Sequence, residues 1–322
     1  MKNRTWISKM VLIMGILSIL RLPVKAQEVG EISVPPPAAA VELYNAGLEL
    51  AGSQQFAEAS LKFEEALALA PTFTAARYNL GLIYRQLGEK EKAVEELQQS
   101  LSGAPQPAMA HRILGELLAD LVRIDEAIEQ YEAALSLDET QTDLHYAIAT
   151  LLHRHAKTKE DKQRTIEAYE AAIEKAPRHS SARSAYSSLA QLYYHAGDKE
   201  KALHNYDMAC RYDASNADLH YNRGVLLNQM SRIQDAVDAL KTSIELESPN
   251  GKAQYALAEI YYSKLHMDEK AIDAYEAAAA DPHFSKATQA RDHAKMIKEY
   301  LEKKREAEAE ADAAMEEGDG SQ

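Results

Sequence analysis

The chain has 322 residues, of which 46% are hydrophobic, and it contains only 13 glycines and 10 prolines. This length is sufficient for one large or two ordinary hydrophobic cores, and the scarcity of Gly and Pro favours a helical protein. The formal net charge of −14 repels phosphate backbones and argues against nucleic acid as a partner. The single cysteine, Cys210, excludes an internal disulfide. Its apolar sequence context predicts a buried structural thiol.

Residues 1–26 have the pattern of a secretory signal peptide. Cations precede an uncharged apolar run over residues 10–20, and Val24-Lys25-Ala26 follows with small residues at the cleavage-determining positions. Because eleven apolar residues are about half of the roughly 20 that cross a bilayer core, we expect cleavage before Gln27 and no stable membrane anchor. Cleavage would remove five cations and leave a net charge of −19. The sequence therefore predicts an exported protein, periplasmic or secreted.

After a Pro-rich stretch over residues 27–39, which indicates an extended linker, the chain repeats with a period of about 34 residues from 40 to 284. Residues 74–105 show the unit most clearly, because apolar residues recur there at i, i+3, i+4 and i+7 on both sides of Gly88. Small residues recur with the same period in two columns, Gly47, Gly81 and Gly115, and Ala59, Ala93 and Ala127. A helix-turn-helix unit of 34 residues is typical of the tetratricopeptide repeat, and the chain resembles that family over seven units.

The resemblance implies an all-α fold, a right-handed superhelical solenoid of seven helix-turn-helix repeats. The small columns then lie where the two helices of a repeat meet, and a larger side chain there should hold the helices apart. Repeat four departs from the pattern, because four additional residues lengthen its internal turn and Thr165 replaces the usual alanine. We therefore expect repeat four to be the least stable. Residues 285–315 are predicted to form a C-terminal capping helix, and residues 316–322 a disordered tail.

Three other functions find little support in the sequence. Seven repeats and a cap occupy the predicted mature chain, which leaves no catalytic domain, and we expect neither enzyme activity nor a cofactor. His153 and His155 lie two residues apart and would point to different sides of a helix, so we expect no metal site. Some family members clamp acidic chaperone tails with three cations, but the corresponding positions here are Val41, Met109 and Ile113.

The resemblance implies that a ligand binds the concave surface lined by the first helices of the repeats. One column of this surface is mostly tyrosine, which offers a large contact area and a polar tip. The predicted groove residues are Tyr78, Arg112, Tyr146, Thr150, His153, Gln191, Tyr194, His195, Tyr221, Asn228, Tyr255 and Tyr262. Because this column also accepts Arg112, we expect it to be partly open to solvent. Three tyrosines of second helices, Tyr169, Tyr206 and Tyr275, are predicted to be buried instead.

The sequence thus predicts an exported scaffold that binds a protein or peptide ligand in its concave groove and supports assembly of an envelope or secreted complex. Two alternatives remain open, namely a soluble holdase-like chaperone and a self-assembling structural repeat protein. The oligomeric state and the identity of the partner are not specified by the sequence.

Overall fold

The computed structural model describes residues 35–102 and 107–319, with side chains as far as Ala311. The predicted signal peptide and most of the linker lie outside the described residues. Within the described ranges the chain forms fifteen α-helices and no β-strand. The helices are α1 (Ala38–Gly52), α2 (Phe56–Leu69), α3 (Thr74–Leu87), α4 (Lys90–Leu101), α5 (Ala108–Asp120), α6 (Ile124–Leu137), α7 (Asp143–His155), α8 (Lys159–Lys175), α9 (Ala182–Ala196), α10 (Lys199–Tyr212), α11 (Ala217–Gln229), α12 (Ile233–Leu246), α13 (Gly251–Ser263), α14 (Asp268–Ala280) and α15 (Ala287–Asp319).

The fold is an all-α solenoid of helical repeats followed by a C-terminal helix, as predicted. Helices α1–α14 alternate as the first and second helices of seven repeats. Residues 74–105, the clearest repeat in the sequence, contain α3 and α4 on either side of Gly88. Helix α1 begins at Ala38, two residues before the predicted end of the linker.

The chain divides into two compact units at the turn of repeat four. The first unit ends at Ala156 and contains α1–α7, and the second begins at Lys157 and contains α8–α15. Helix α8 begins with a capping box, in which Thr158 accepts from the backbone N–H of Asp161 and the Asp161 carboxylate accepts from that of Thr158. The additional residues of repeat four therefore coincide with the boundary between the units.

The glycine column lies against the second helix of the same repeat. A Cβ atom at Gly81 would lie 2.7 Å from the Leu97 side chain and 3.3 Å from the carbonyl oxygen of Ala93. At Gly115 it would lie 2.7 Å from the Tyr131 ring. Since Cβ atoms do not approach other atoms so closely, these positions require glycine, and the predicted steric reason for the column is confirmed.

The tyrosines of the second helices are buried, as predicted. Tyr169, Tyr206 and Tyr275 expose 5%, 4% and 2% of their surface. The prediction that Cys210 is buried was wrong, because this residue is only half-buried. Its column faces the edge of the core, where Leu135 and Ile244 are also half-buried. Partial burial still raises the pKa of the Cys210 thiol and favours its neutral form.

Helix α15 packs on α14 through its N-terminal half. Ala290, Ala294 and Ile297 are buried, and Lys298 pairs with Glu276 at 2.6 Å. All side chains from Glu302 to Ala311 are exposed. The helix continues to Asp319, past the predicted boundary at residue 315, because its Ala, Glu and Lys residues have high helix propensity. Residues 316–319 of the predicted tail are therefore helical, and 320–322 lie outside the described part of the chain.

The turn between the two helices of a repeat contains a residue with positive φ, and Val122 is poorly suited to it. Left-handed backbone costs an L-residue about 1–2 kcal/mol and a β-branched one is a clear outlier. Val122 has φ 60° and an exposed side chain, whereas the equivalent Gly88 has φ 80°. We expect Val122→Gly to raise the free energy of unfolding by about 1 kcal/mol, measured by urea denaturation.

The matched change is Gly88→Val. A Cβ atom at Gly88 would meet no atom within 4 Å, so this substitution changes only the backbone energy. It should therefore lower the free energy of unfolding by a similar amount. If Val122→Gly left the stability unchanged or lowered it, the left-handed turn would not be a source of strain.

Candidate binding surface on the first helices

The predicted groove residues lie on the first helices α3, α5 and α7 of the first unit and α9, α11 and α13 of the second. We call this surface the first-helix face. Equivalent positions recur because each first helix presents the same side within its repeat. The two units are described separately below.

In the first unit, charged side chains of three first helices form a continuous network. Arg85 donates to Glu116 at 2.8 Å, and Arg112 donates to Glu116 at 3.2 Å and pairs with Asp143 at 2.8 Å. Burial opposes the charge of Arg112, but the hydrogen bonds to Asp143 and Glu116 outweigh this effect and raise its pKa. Both arginines are therefore neutralised by acids of the same face.

Sequence reasoning identified Arg112 but missed its partners. Glu116 lies 31 residues after Arg85, and Asp143 lies 31 residues after Arg112. This shared separation, slightly shorter than the repeat, was the signal that could have found the network. The separation joins one first helix to the next.

Two predicted groove tyrosines of the first unit are not on the surface. Tyr78 exposes 6% and Tyr146 only 3%, so the expectation of a partly open column was wrong at both positions. Tyr78 belongs to the hydrophobic core of this unit, and its burial raises its pKa, an effect that the nearby Arg85 opposes. Thr150 is exposed, whereas His153 is half-buried, and this burial lowers its pKa.

An asparagine on each unit's first-helix face has an unsatisfied oxygen. The Asn79 amide nitrogen donates to the Tyr44 hydroxyl at 3.0 Å and to the carbonyl oxygen of Ala75 at 2.9 Å. The Oδ1 atoms of Asn79 and Asn228 are buried and have no hydrogen-bond partner among the described residues, as is also true of Gln141 Oε1. A buried unpaired acceptor costs about 1–3 kcal/mol, so a donor reaching it would stabilise the protein.

In the second unit, the face of α9 and α11 is built from neutral and aromatic side chains. Gln191 and His195 are exposed, and the Tyr194 hydroxyl accepts from Gln229 at 2.7 Å. Tyr221 is half-buried, and the Lys252 ammonium lies over its ring, 5.2 Å from the centroid. This lysine also pairs with Asp218.

Helix α15 contributes to the last first-helix position of the second unit. The Tyr255 ring packs against those of Tyr275, at 5.4 Å, and His293 of α15, at 6.0 Å. Glu259 accepts from the Tyr275 hydroxyl at 2.5 Å and lies 3.5 Å from His293 Nδ1. Burial, with the Glu259 carboxylate, raises the pKa of Tyr255. Sequence reasoning missed this contribution of α15, whereas Tyr262 remains exposed on the same helix.

Comparison with protein families agrees with the repeat architecture. Models of the tetratricopeptide repeat match residues 50–117, 113–141 and 221–283, and a TPR repeat model matches 190–231. Together these matches cover more than half of the chain. The chain is therefore a tetratricopeptide repeat protein. Members of this family are typically non-catalytic scaffolds for protein–protein interaction. No curated protein sequence is significantly similar to the chain.

Solved structures show the same fold. The C-terminal part of a TPR repeat-containing protein from Cytophaga hutchinsonii is 20% identical with a TM-score of 0.57, over 77% of this chain and 98% of that one. The structure of Naa15/Naa10 bound to HypK-THB matches 79% of this chain and 39% of that one, with 19% identity and a TM-score of 0.54.

Two further properties concern the described residues alone. No group of three or more His, Cys, Asp or Glu side chains among them could hold a metal ion. None of their helices is both long enough and apolar enough to cross a membrane.

Proposed function

We propose that the protein is an exported scaffold that binds a protein or peptide ligand on its first-helix face and supports assembly of an envelope or secreted complex. The observation that carries this proposal is a contrast within the second unit. The second-helix tyrosines Tyr206 and Tyr275 are buried, whereas Gln191, Tyr194 and His195 of α9 are accessible or partly accessible. Packing explains the first set but gives no reason for the second.

The chemistry of α9 and α11 suits a polypeptide. Amide and hydroxyl groups such as those of Gln191, Tyr194 and Asn228 can donate to or accept from a peptide backbone, and the tyrosine ring supplies apolar contact area. The unpaired Asn228 oxygen would gain a partner if a backbone N–H reached it after a small side-chain rotation. These features support binding of an extended segment along α9 and α11.

The charges on the face favour a ligand without strong net charge. Arg85 and Arg112 are paired with acids in the first unit, and Lys252 is paired with Asp218 in the second. A strongly acidic ligand would have to compete with these acids, and the net charge of −14 would repel it at longer range. Nucleic acid is disfavoured as a partner for the same reason.

Export is proposed from the pattern of residues 1–26, and it has a direct test. In the native host the mature protein should begin at Gln27 and show no tryptophan fluorescence, because Trp6 is the sole tryptophan. Intact-mass measurement of the purified native protein checks the cleavage site. A mass that retains residues 1–26 would contradict export by signal cleavage.

The binding function is tested by cross-linking and affinity capture of the full mature chain from its native envelope. We expect one stoichiometric protein partner, and we expect Gln191→Ala with Tyr194→Ala to reduce its capture. Gln234→Ala is the matched control, because Gln234 is exposed on the second helix α12. Many weak partners would favour a holdase-like chaperone, and assembly that grows beyond a dimer without a partner would favour a structural role.

A further inference from the structure

Helix α15 carries a strongly uneven distribution of charge along its length. From residue 287 to 305 it contains six cations and three acids, whereas from 306 to 319 it contains seven acids and no cation. The N-terminal half packs on α14, but the side chains of Glu302 to Ala311 are all exposed. At about 1.5 Å per residue, the 33 residues form a rod of about 50 Å, and much of it is open to another molecule.

The same helix exposes two large apolar side chains one turn apart. Met296 is 50% and Tyr300 is 60% exposed, although Ala290, Ala294 and Ile297 show that α15 already has a buried face. At helical spacing, this exposed side continues along the helix with small residues only. The stripe consists of Met296, Tyr300, Ala307, Ala311 and Ala314. An apolar stripe outside the buried face of a capping helix is not explained by packing within the chain.

We propose that two copies of the protein pair antiparallel along the exposed stripe of α15. An antiparallel pair with two-fold symmetry places the basic half of each helix against the acidic half of the other. A parallel pair would instead bring like charges together. Tyr300 and Met296 of one copy then lie against alanines of the second copy, whose small side chains leave room for a ring or a thioether chain. The occupant is a second copy because α15 is complementary in charge to itself.

The test uses two charge-reversal variants of the full mature chain. One carries Glu308→Lys and Glu310→Lys, and the other carries Lys303→Glu and Lys304→Glu; all four residues are exposed. Sedimentation equilibrium of the wild-type chain should show a dimer that does not grow further. Each variant alone should dimerise about tenfold more weakly or worse, since a reversed charge acts twice in a symmetric pair. Mixing the two variants should restore a dimer, and so should combining all four substitutions in one chain.

The control variant is Glu132→Lys with Glu139→Lys, which makes the same change in net charge at exposed positions outside α15 and should leave dimerisation unchanged. Met296→Glu with Tyr300→Glu tests the apolar part of the stripe and should also give a monomer. Circular dichroism establishes that each variant is folded. A wild-type chain that stays monomeric at about 100 µM would overturn the proposal. So would a dimer that tolerates the α15 variants, or variants whose mixture stays monomeric.

Discussion

Removing α15 by truncation after Lys286 should destabilise the second unit and expose an apolar surface that aggregates. Ile297 alone is almost fully buried, and such a side chain contributes about 1.5–3 kcal/mol. The truncation also removes His293 from Tyr255 and Tyr275 and uncovers part of Ile272. We expect the midpoint of thermal unfolding of this unit to fall by about 10 °C or more, measured by differential scanning calorimetry.

The control truncation removes only residues 316–322, which lie beyond every α15 contact with α14 described above. It should leave the unfolding midpoint unchanged. A truncation after Lys286 that is as soluble and as stable as the full chain would show that α15 is not a structural cap.

The second large effect is expected at Tyr206 on the second helix α10. Its ring is 96% buried, and this burial raises the pKa of its hydroxyl to about 12. Tyr206→Ala should therefore lower the free energy of unfolding by about 3–5 kcal/mol, as truncation of core aromatic residues does. Chemical denaturation measures the change.

Tyr221 on the first helix α11 is the matched comparison. It is only half-buried, and its main described contact is the Lys252 ammonium over its ring, which is worth about 0.5–1 kcal/mol at an exposed site. Tyr221→Ser should thus cost about 1 kcal/mol. Equal losses for Tyr206→Ala and Tyr221→Ser would mean that both tyrosines serve packing.

The helices and the small columns could be predicted from the sequence because both depend on local and periodic features. The helical spacing of apolar residues fixes each helix, and a glycine such as Gly81 recurs wherever the same close contact with a second helix recurs. The lengthened turn of repeat four was likewise visible in the residue count. The boundary between the two units, at Ala156, coincides with it.

The candidate surface was harder to predict because exposure depends on neighbours from other repeats. Tyr78, Tyr146 and Tyr221 occupy equivalent sequence positions, but only the last of them is partly open. Sequence alone also could not show that His293 of α15 would reach Tyr255, since α15 does not follow the repeat. Equivalent positions in a repeat therefore share backbone placement without sharing solvent access.

Our central claim is that the first-helix face holds the ligand, and the affinity of the captured native partner tests it most directly. The measurement is the dissociation constant for the wild-type chain, for Tyr221→Ser and for the control Gln234→Ala, by isothermal titration calorimetry. We predict that Tyr221→Ser binds at least about tenfold more weakly while remaining folded, because aromatic anchors dominate interface energies. The control should bind like the wild type. Unchanged affinity of Tyr221→Ser, or an equal loss in Gln234→Ala, would contradict the claim.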